Sequence, residues 1–255
     1  MKITFLGTGT SQGVPVIGCL CEVCRSLDFR DKRLRTSIHI DINGQSFVID
    51  TGPDFRQQML REDIKKLNAV IFTHAHRDHT AGLDDVRAYN FLQEIDMPVY
   101  GTKPTLDQLR IEYAYAFSKE SYPGIPRLNL NLIDDNPFLV NGINVTPLPV
   151  LHLHMPVLGF RLGNFSYITD AKSIPYQTLE KLKGTEVLVL NALQRDWHIS
   201  HLNLEEALVL AKKLNANKTY FTHISHKLGR HEAVQKELPA NVLLAFDGLQ
   251  IEVNS

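Results

Sequence analysis

Residues 72–82 read FTHAHRDHTAG, and six consecutive positions within them hold His74, His76, Asp78 and His79. Imidazole and carboxylate together suit zinc, iron or manganese, and the H-x-H-x-D-H spacing offers two separate ligand sets within one tight loop. That is enough for two neighbouring metals. The preceding NAVIFTH is a short run of β-branched and aromatic residues that reads as a buried strand, so the histidines sit where a strand ends. Side chains from several elements converge at strand ends in α/β proteins, which lets one loop contribute to a shared centre. Thr80-Ala81-Gly82 then opens a helix.

A second cluster is made of thiols. All three cysteines lie in GCLCEVC, as Cys19, Cys21 and Cys24. An odd, clustered trio argues against a disulfide framework and for thiolate ligation of a structural zinc. A tetrahedral site then needs a fourth ligand from elsewhere in the chain.

These loops need a scaffold, and 255 residues at 44% hydrophobic composition build a substantial core. We read one domain over residues 1–255. Strand-like runs recur as KITFLGT, SIHIDI, QSFVIDTG, NAVIFTH, MPVYGT, INVTPLPV, LGFRL, FSYITD, EVLVLNA, TYFTH and VLLAFDGLQIEV. Helical patterns interrupt them at PDFRQQMLRED, GLDDVRAYNFLQE, PTLDQLRIEYAYAF, PYQTLEKLKG, NLEEALVLAKKL and HEAVQKEL. Hairpins alternating with crossover helices predict mixed sheet with helices on its faces. EYAYAFSKESYPGIPR is the most loop-like stretch, its aromatics candidates for a cleft mouth or for packing a connection. FVIDTGPD followed by IFTHAH is echoed by SYITDAKSIP followed by YFTHISH, which suggests two similar halves with ligands from both meeting at one edge.

Other classes are excluded or disfavoured. GTGTSQG is one residue longer than the dinucleotide fingerprint and leads into the cysteine loop rather than a helix, so its glycines serve tight turns. With 27 Lys plus Arg against 28 Asp plus Glu, the formal charge is −1 and the pI about 6.8, giving no global field for polyanions. A signal-peptide apolar region and a membrane-length apolar run are both absent from the sequence, so a cytoplasmic location is expected. The expected partner is a small substrate, with no long nucleic acid, no membrane, and a homodimer left open.

THAHRDHTAG, an isolated histidine in LPVLH, the aspartate of YITDAK and the final THISH together resemble the metallo-β-lactamase superfamily, in the expected order over nearly the whole chain. Within it, LGTGTSQGVP, GCLCEVC, HISHLNLEEAL and FDGLQIEV resemble the PhnP-type phosphodiesterases, cyclic-phosphate hydrolases. The resemblance implies a four-layer αββα sandwich of two mixed sheets flanked by helices. It assigns His74, His76 and His152 to one metal and Asp78, His79 and His223 to another, with Asp170 bridging. His154 is then a spare, placed near the ligands or exposed. It also makes His226 the missing fourth ligand of Cys19, Cys21 and Cys24.

Two divalent metals, zinc or manganese, can clamp a phosphodiester and lower the pKa of a water to roughly 7. The PhnP-like pattern places His201 just before the LNLEEAL helix as candidate general acid, with His198 sharing the role or touching phosphate. Asp78 counts with these catalytic residues as well as with the ligands. The expected substrate is a small phosphodiester, cyclic ribose or nucleoside phosphates foremost. The alternatives are a tRNA-processing metallo-ribonuclease, a thioester or lactam hydrolase of similar metal chemistry, and a zinc-dependent binding protein without turnover.

Overall fold

The structure is a computed structural model that describes residues 1–118 and 122–254. Its strands are β1 (Lys2–Gly7), β2 (Ser37–Ile42), β3 (Gln45–Ile49), β4 (Ala69–Ile71), β5 (Met97–Gly101), β6 (Leu128–Leu132) and β7 (Phe138–Val140). The second half adds β8 (Ile143–His152), β9 (Met155–Leu162), β10 (Phe165–Tyr167), β11 (Val187–Asn191), β12 (Lys218–Thr222), β13 (Val242–Leu244) and β14 (Gln250–Glu252). Helices are α1 (Phe55–Arg61), α2 (Arg77–Thr80), α3 (Arg87–Gln93), α4 (Lys103–Glu112), α5 (Tyr176–Leu182), α6 (Leu204–Leu214) and α7 (His231–Glu237).

The strands form two seven-stranded sheets, ordered β14-β1-β2-β3-β4-β5-β6 and β13-β12-β11-β10-β9-β8-β7. Both are mixed. In the first sheet β1, β2 and β3 are antiparallel neighbours and β3 to β6 are parallel; in the second, β7 to β10 are antiparallel and β10 to β13 parallel. Side chains alternate across each strand, so every strand can feed two layers. Phe47 and Ile49 pack between the sheets while Val48 packs under α1 and α4; Val187 and Val189 face the inter-sheet core while Leu188 and Leu190 face α6 and α7. Each such fully buried side chain contributes about 1.5–3 kcal/mol. The resulting α–β–β–α layering is the expected architecture.

Three details differ from the sequence expectation. The strands β6 and β7 were not foreseen: β6 is an edge strand whose leucines alternate with asparagines and stay partly exposed, so its pattern resembles loop. VLLAFDGLQIEV is two strands rather than one, β13 in the second sheet and β14 in the first. The chain crosses between them at Phe246-Asp247-Gly248, where Gly248 has φ +87° and Asp247 accepts from the Leu34 backbone N–H at 2.7 Å and the Thr8 hydroxyl at 2.8 Å. The loop-like stretch begins with the end of α4 and a 3-10 turn, Ala114–Phe117. Tyr113 there is buried behind the His74–His79 loop, donating to the Thr80 carbonyl at 2.7 Å, which fits the packing alternative at this residue. Residues 119–121 of that stretch lie outside the described residues.

The repeat of two halves holds at the level of topology, but the Phe-Thr-His echo does not superimpose on it. His74 follows β4, one strand across from the Asp50 strand β3. His223 follows β12, two strands across from β10, whose following loop carries Asp170. Asn191 rather than a histidine ends the equivalent of β4, and it holds the Asp170 loop by bonding both the N–H and the carbonyl of Ala171.

Candidate active site

The two sheets bring their strand ends together at one edge. There the loop after β3 supplies Asp50, the loop after β4 and α2 supply His74 to His79, the β8 end supplies His152, and the loops after β10, β11 and β12 supply Asp170, His201 and His223. Asp50, Asp170 and His223 all have left-handed backbones, with φ of +65°, +56° and +54°. That conformation turns each side chain sharply out of its strand line, a device concentrated at functional sites. Gly52 permits a close backbone approach. A Cβ there would lie 2.2 Å from the Asp78 carbonyl oxygen, with backbone on both sides: Thr51 N–H donates to His79 at 2.7 Å and Gly82 N–H to Thr51 at 2.8 Å. Gly52→Ala is therefore expected to destabilise by about 1–3 kcal/mol through overpacking, read by denaturant unfolding; an unchanged midpoint would show that the loop gives way freely.

Hydrogen bonds fix which ring nitrogen of His74, His79 and His152 is free. Thr73 donates its hydroxyl proton to Asp50 Oδ2 at 2.8 Å, so His74 Nδ1–H donates to Thr73 Oγ1 at 2.9 Å. His79 Nδ1–H donates to Asp50 Oδ2 at 2.7 Å, and His152 Nδ1–H to the Ser200 carbonyl at 2.9 Å. Each arrangement leaves Nε2 as a lone-pair donor. The Nε2 atoms of His74, His79 and His223 are buried without hydrogen-bond partners. Such orphaned acceptors are costly unless an ion meets them. Sequence reasoning noticed Asp50 only through the echo and missed its role as the carboxylate behind His79 and, through Thr73, His74.

Asp170 sits at the centre. Its Oδ1 is 3.1 Å from His223 Nε2 and 3.8 Å from His201 Nδ1, its Oδ2 3.3 Å from His79 Nε2, and His79 Nε2 is 3.3 Å from Asp78 Oδ2. Two atoms each about 2.1 Å from one ion lie roughly 2.9–3.4 Å apart, so most of these spacings suit shared coordination. Three sets of potential ligand atoms lie mutually within 4.8 Å: His74, His79 and Asp170; Asp78, His79 and His223; His152, Asp170 and His201. The second is the set expected for one metal. His74, His76 and His152 do not form such a set; His76, exposed, reaches the others through ring contacts at 4.6 Å to His74 and 5.3 Å to His152. His201 belongs to one of these sets, which is not expected of a pure proton donor. His154 is exposed on the two-residue turn between β8 and β9.

The electrostatics favour a cation. Burial strongly disfavours charge here, yet the carboxylates of Asp170 and Asp50 hold His79 well above its ordinary range, and His223 and His79 hold Asp170 well below its own. Buried carboxylates thus draw positive charge into a dry site. His74 stays neutral through burial, the form that ligates.

The thiols converge separately. Sγ of Cys19, Cys21 and Cys24 lie 3.3, 3.4 and 3.5 Å from His226 Nδ1, close to the roughly 3.5 Å edge of a tetrahedral Cys3His zinc site. The Cys24 backbone N–H helps pull the Cys21 thiol down to about 6, towards the ligating thiolate. His226 is three residues from His223, and their loop is tied down by Ile224 N–H to Thr8 at 2.8 Å and Ser225 N–H to Leu193 at 2.9 Å. Cys21→Ser is expected to lose zinc and to lower Tm by about 5–10 °C, the equivalent of ~2–3 kcal/mol in a chain this size. Native zinc stoichiometry with native melting would remove the site.

Residues 45–224 match the family described as Beta-lactamase superfamily domain. The chain belongs to the metallo-β-lactamase superfamily. A solved structure described as a new diphosphatase from the PhnP family is 41% identical, with a TM-score of 0.92 over 98% of this chain and 96% of that one. A protein of Porphyromonas gingivalis named octanoyltransferase is 40% identical over 98% of this chain and 51% of its own length. A ribonuclease Z of Methanococcus maripaludis is 26% identical over 73% of this chain and 55% of its own. The superfamily chain thus spans about half the length of these curated relatives. Among the described residues no helix is long and apolar enough to cross a membrane.

Proposed function

We propose that this metallo-β-lactamase-fold protein hydrolyses small organic phosphates in which a singly ionised phosphoryl group bridges two oxygens: phosphodiesters, cyclic ones included, or diphosphate linkages. The observation that carries the reading is the file of rings leading out of the centre. His201 lies 4.7 Å from His223 and 4.5 Å from His152, and His198 lies 5.2 Å beyond it. The likeness to a PhnP-family diphosphatase over 98% of the chain supports the phosphate class.

In this reading His74, His76, His152 and Asp170 hold one divalent ion and Asp78, His79, His223 and Asp170 another, zinc or manganese, with a third zinc on the cysteines. When bound there, such ions supply Lewis acidity toward phosphoryl oxygens and a hydroxide nucleophile at neutral pH. The chain's own residues do the rest. Asp50 and the Ser200 carbonyl orient the ligating rings, and His201 stands on the leaving-oxygen side. Burial, then His223, push its imidazole down to about 2, so in the free chain it is neutral, and the charge of a bound phosphate raises its proton affinity. His198 accepts the Ser200 N–H at Nδ1, 3.3 Å, which leaves Nε2–H as a second donor.

The ribonuclease Z likeness favours a tRNA-processing activity as the second reading, but a formal charge of −1 offers little to a long polyanion. Filter binding of precursor tRNA discriminates. Covalent acyl transfer needs a nucleophile such as a thiol at the centre, whereas the three cysteines gather on His226. The test of the main reading is turnover by the metal-reconstituted protein on bis-p-nitrophenyl phosphate, 2′,3′-cyclic nucleotides, ribose cyclic phosphates, a nucleoside diphosphate sugar, nitrocefin and a thioester. Phosphate hydrolysis should dominate; faster turnover of nitrocefin or the thioester than of every phosphate would overturn it.

A further inference from the structure

Trp197 is the chain's only tryptophan, yet its side chain is 64% exposed. Its indole joins a large apolar face to a polar N–H, a pairing enriched at interfaces. Its neighbour two residues on, Ile199, is 55% exposed. Both stand on the segment between β11 and α6 that also carries His198 and His201.

The ring is also held in place. Lys172 Nζ lies 5.0 Å over its centroid, within cation–π range. That ammonium is anchored by Glu206 at 2.7 and 2.9 Å, and Glu206 is fixed in turn by a capping box with Asn203 at the start of α6. Lys172 itself follows Asp170 by two residues, and its backbone N–H donates to Leu151 at 2.7 Å, beside the ligand His152. One face of the indole is thus covered by a cation tied to the metal-site framework, and much of the ring remains open to solvent. A fixed, half-open aromatic face beside a phosphate site is what stacks a planar ring.

We propose that Trp197, flanked by Ile199, forms a leaving-group subsite that stacks a planar nucleobase-type ring of the phosphorylated substrate. The proposal rests on the phosphohydrolase reading and narrows it to nucleotide-type substrates. The apolar rim contributed by Ile199 excludes water from the stacked ring, and the Lys172–Glu206 pair keeps the indole from turning away.

Because Trp197 is the sole tryptophan, its fluorescence reports the event directly. Metal-loaded protein is titrated with adenosine 5′-monophosphate and with ribose 5-phosphate, with calorimetry on the wild type, Trp197→Phe and Trp197→Ala. Adenosine 5′-monophosphate should quench the emission saturably and bind on the order of tenfold tighter or more than ribose 5-phosphate, which should not quench. Trp197→Phe should keep most of that preference, and Trp197→Ala should lose it without weakening ribose 5-phosphate. Equal affinities in the wild type, or a preference untouched in Trp197→Ala, would overturn the subsite, as would a change confined to self-association on sedimentation. If Trp197→Ala fails to fold, the wild-type and Trp197→Phe titrations still decide. Turnover of bis-p-nitrophenyl phosphate without any adenine preference would sink the subsite alone, and no turnover of any phosphate would sink the hydrolase reading.

Discussion

Asp170→Ala is expected to lower kcat by about 10³-fold or more on every substrate and to reduce bound metal at the histidine centre. Both oxygens of this carboxylate are engaged: Oδ1 faces His223 and His201, and Oδ2 faces His79 and accepts the Thr169 hydroxyl at 2.6 Å. Removing it leaves those histidines facing one another without the shared counter-charge that also draws in cations. Several kcal/mol of transition-state stabilisation come from metal ions in such sites, and about 4 kcal/mol corresponds to the stated loss. The wild type should show more metal per chain by elemental analysis than the cysteine site can hold, and the variant should approach that single-site value. Asp170→Asn, of the same size, separates charge from packing: it should melt near the wild type yet share the loss of metal. Full metal content and activity in Asp170→Ala would remove the assignment.

His201→Ala should lower kcat by about 10²–10⁴ on a substrate with a poor alkoxide leaving group, the usual range for general acid catalysis. On bis-p-nitrophenyl phosphate the loss should be far smaller, because p-nitrophenolate needs little protonation. Since His201 lies within reach of His152 and Asp170 as a potential ligand, metal content must be measured on the same sample, and it should stay unchanged. Equal losses on both substrates would make His201 a phosphate-binding or coordinating residue. Undiminished hydrolysis of a ribose cyclic phosphate would shift the proton to His198 or to water.

Much of the candidate site is legible in the sequence, because its candidate ligands follow strands and cluster in short loops. His74, His76, Asp78 and His79 needed no tertiary information, and neither did the thiol trio. His152, Asp170, His223 and His226 are isolated in sequence and became legible only through the family resemblance. Asp50 escaped because it stands behind the candidate ligands, bonded to His79 and Thr73, where residue type alone gives no signal. Ser200 could not be anticipated at all, since it acts through a backbone carbonyl. Edge strand β6 was missed because alternating Leu and Asn on a half-exposed edge has neither a continuous apolar run nor a strong β-branched signature.

The left-handed backbones of Asp50, Asp170 and His223 set activity against stability. A residue with a Cβ held there costs on the order of 1 kcal/mol, so the three together tax the fold by roughly 3 kcal/mol, a sizeable share of the 5–15 kcal/mol that separates folded from unfolded domains. Glycine would relieve that cost at each position and erase the carboxylate or imidazole with it. Selection for thermal resistance alone would therefore push these three positions toward glycine, and their present identities record a compromise in which the inter-sheet core underwrites the chemistry.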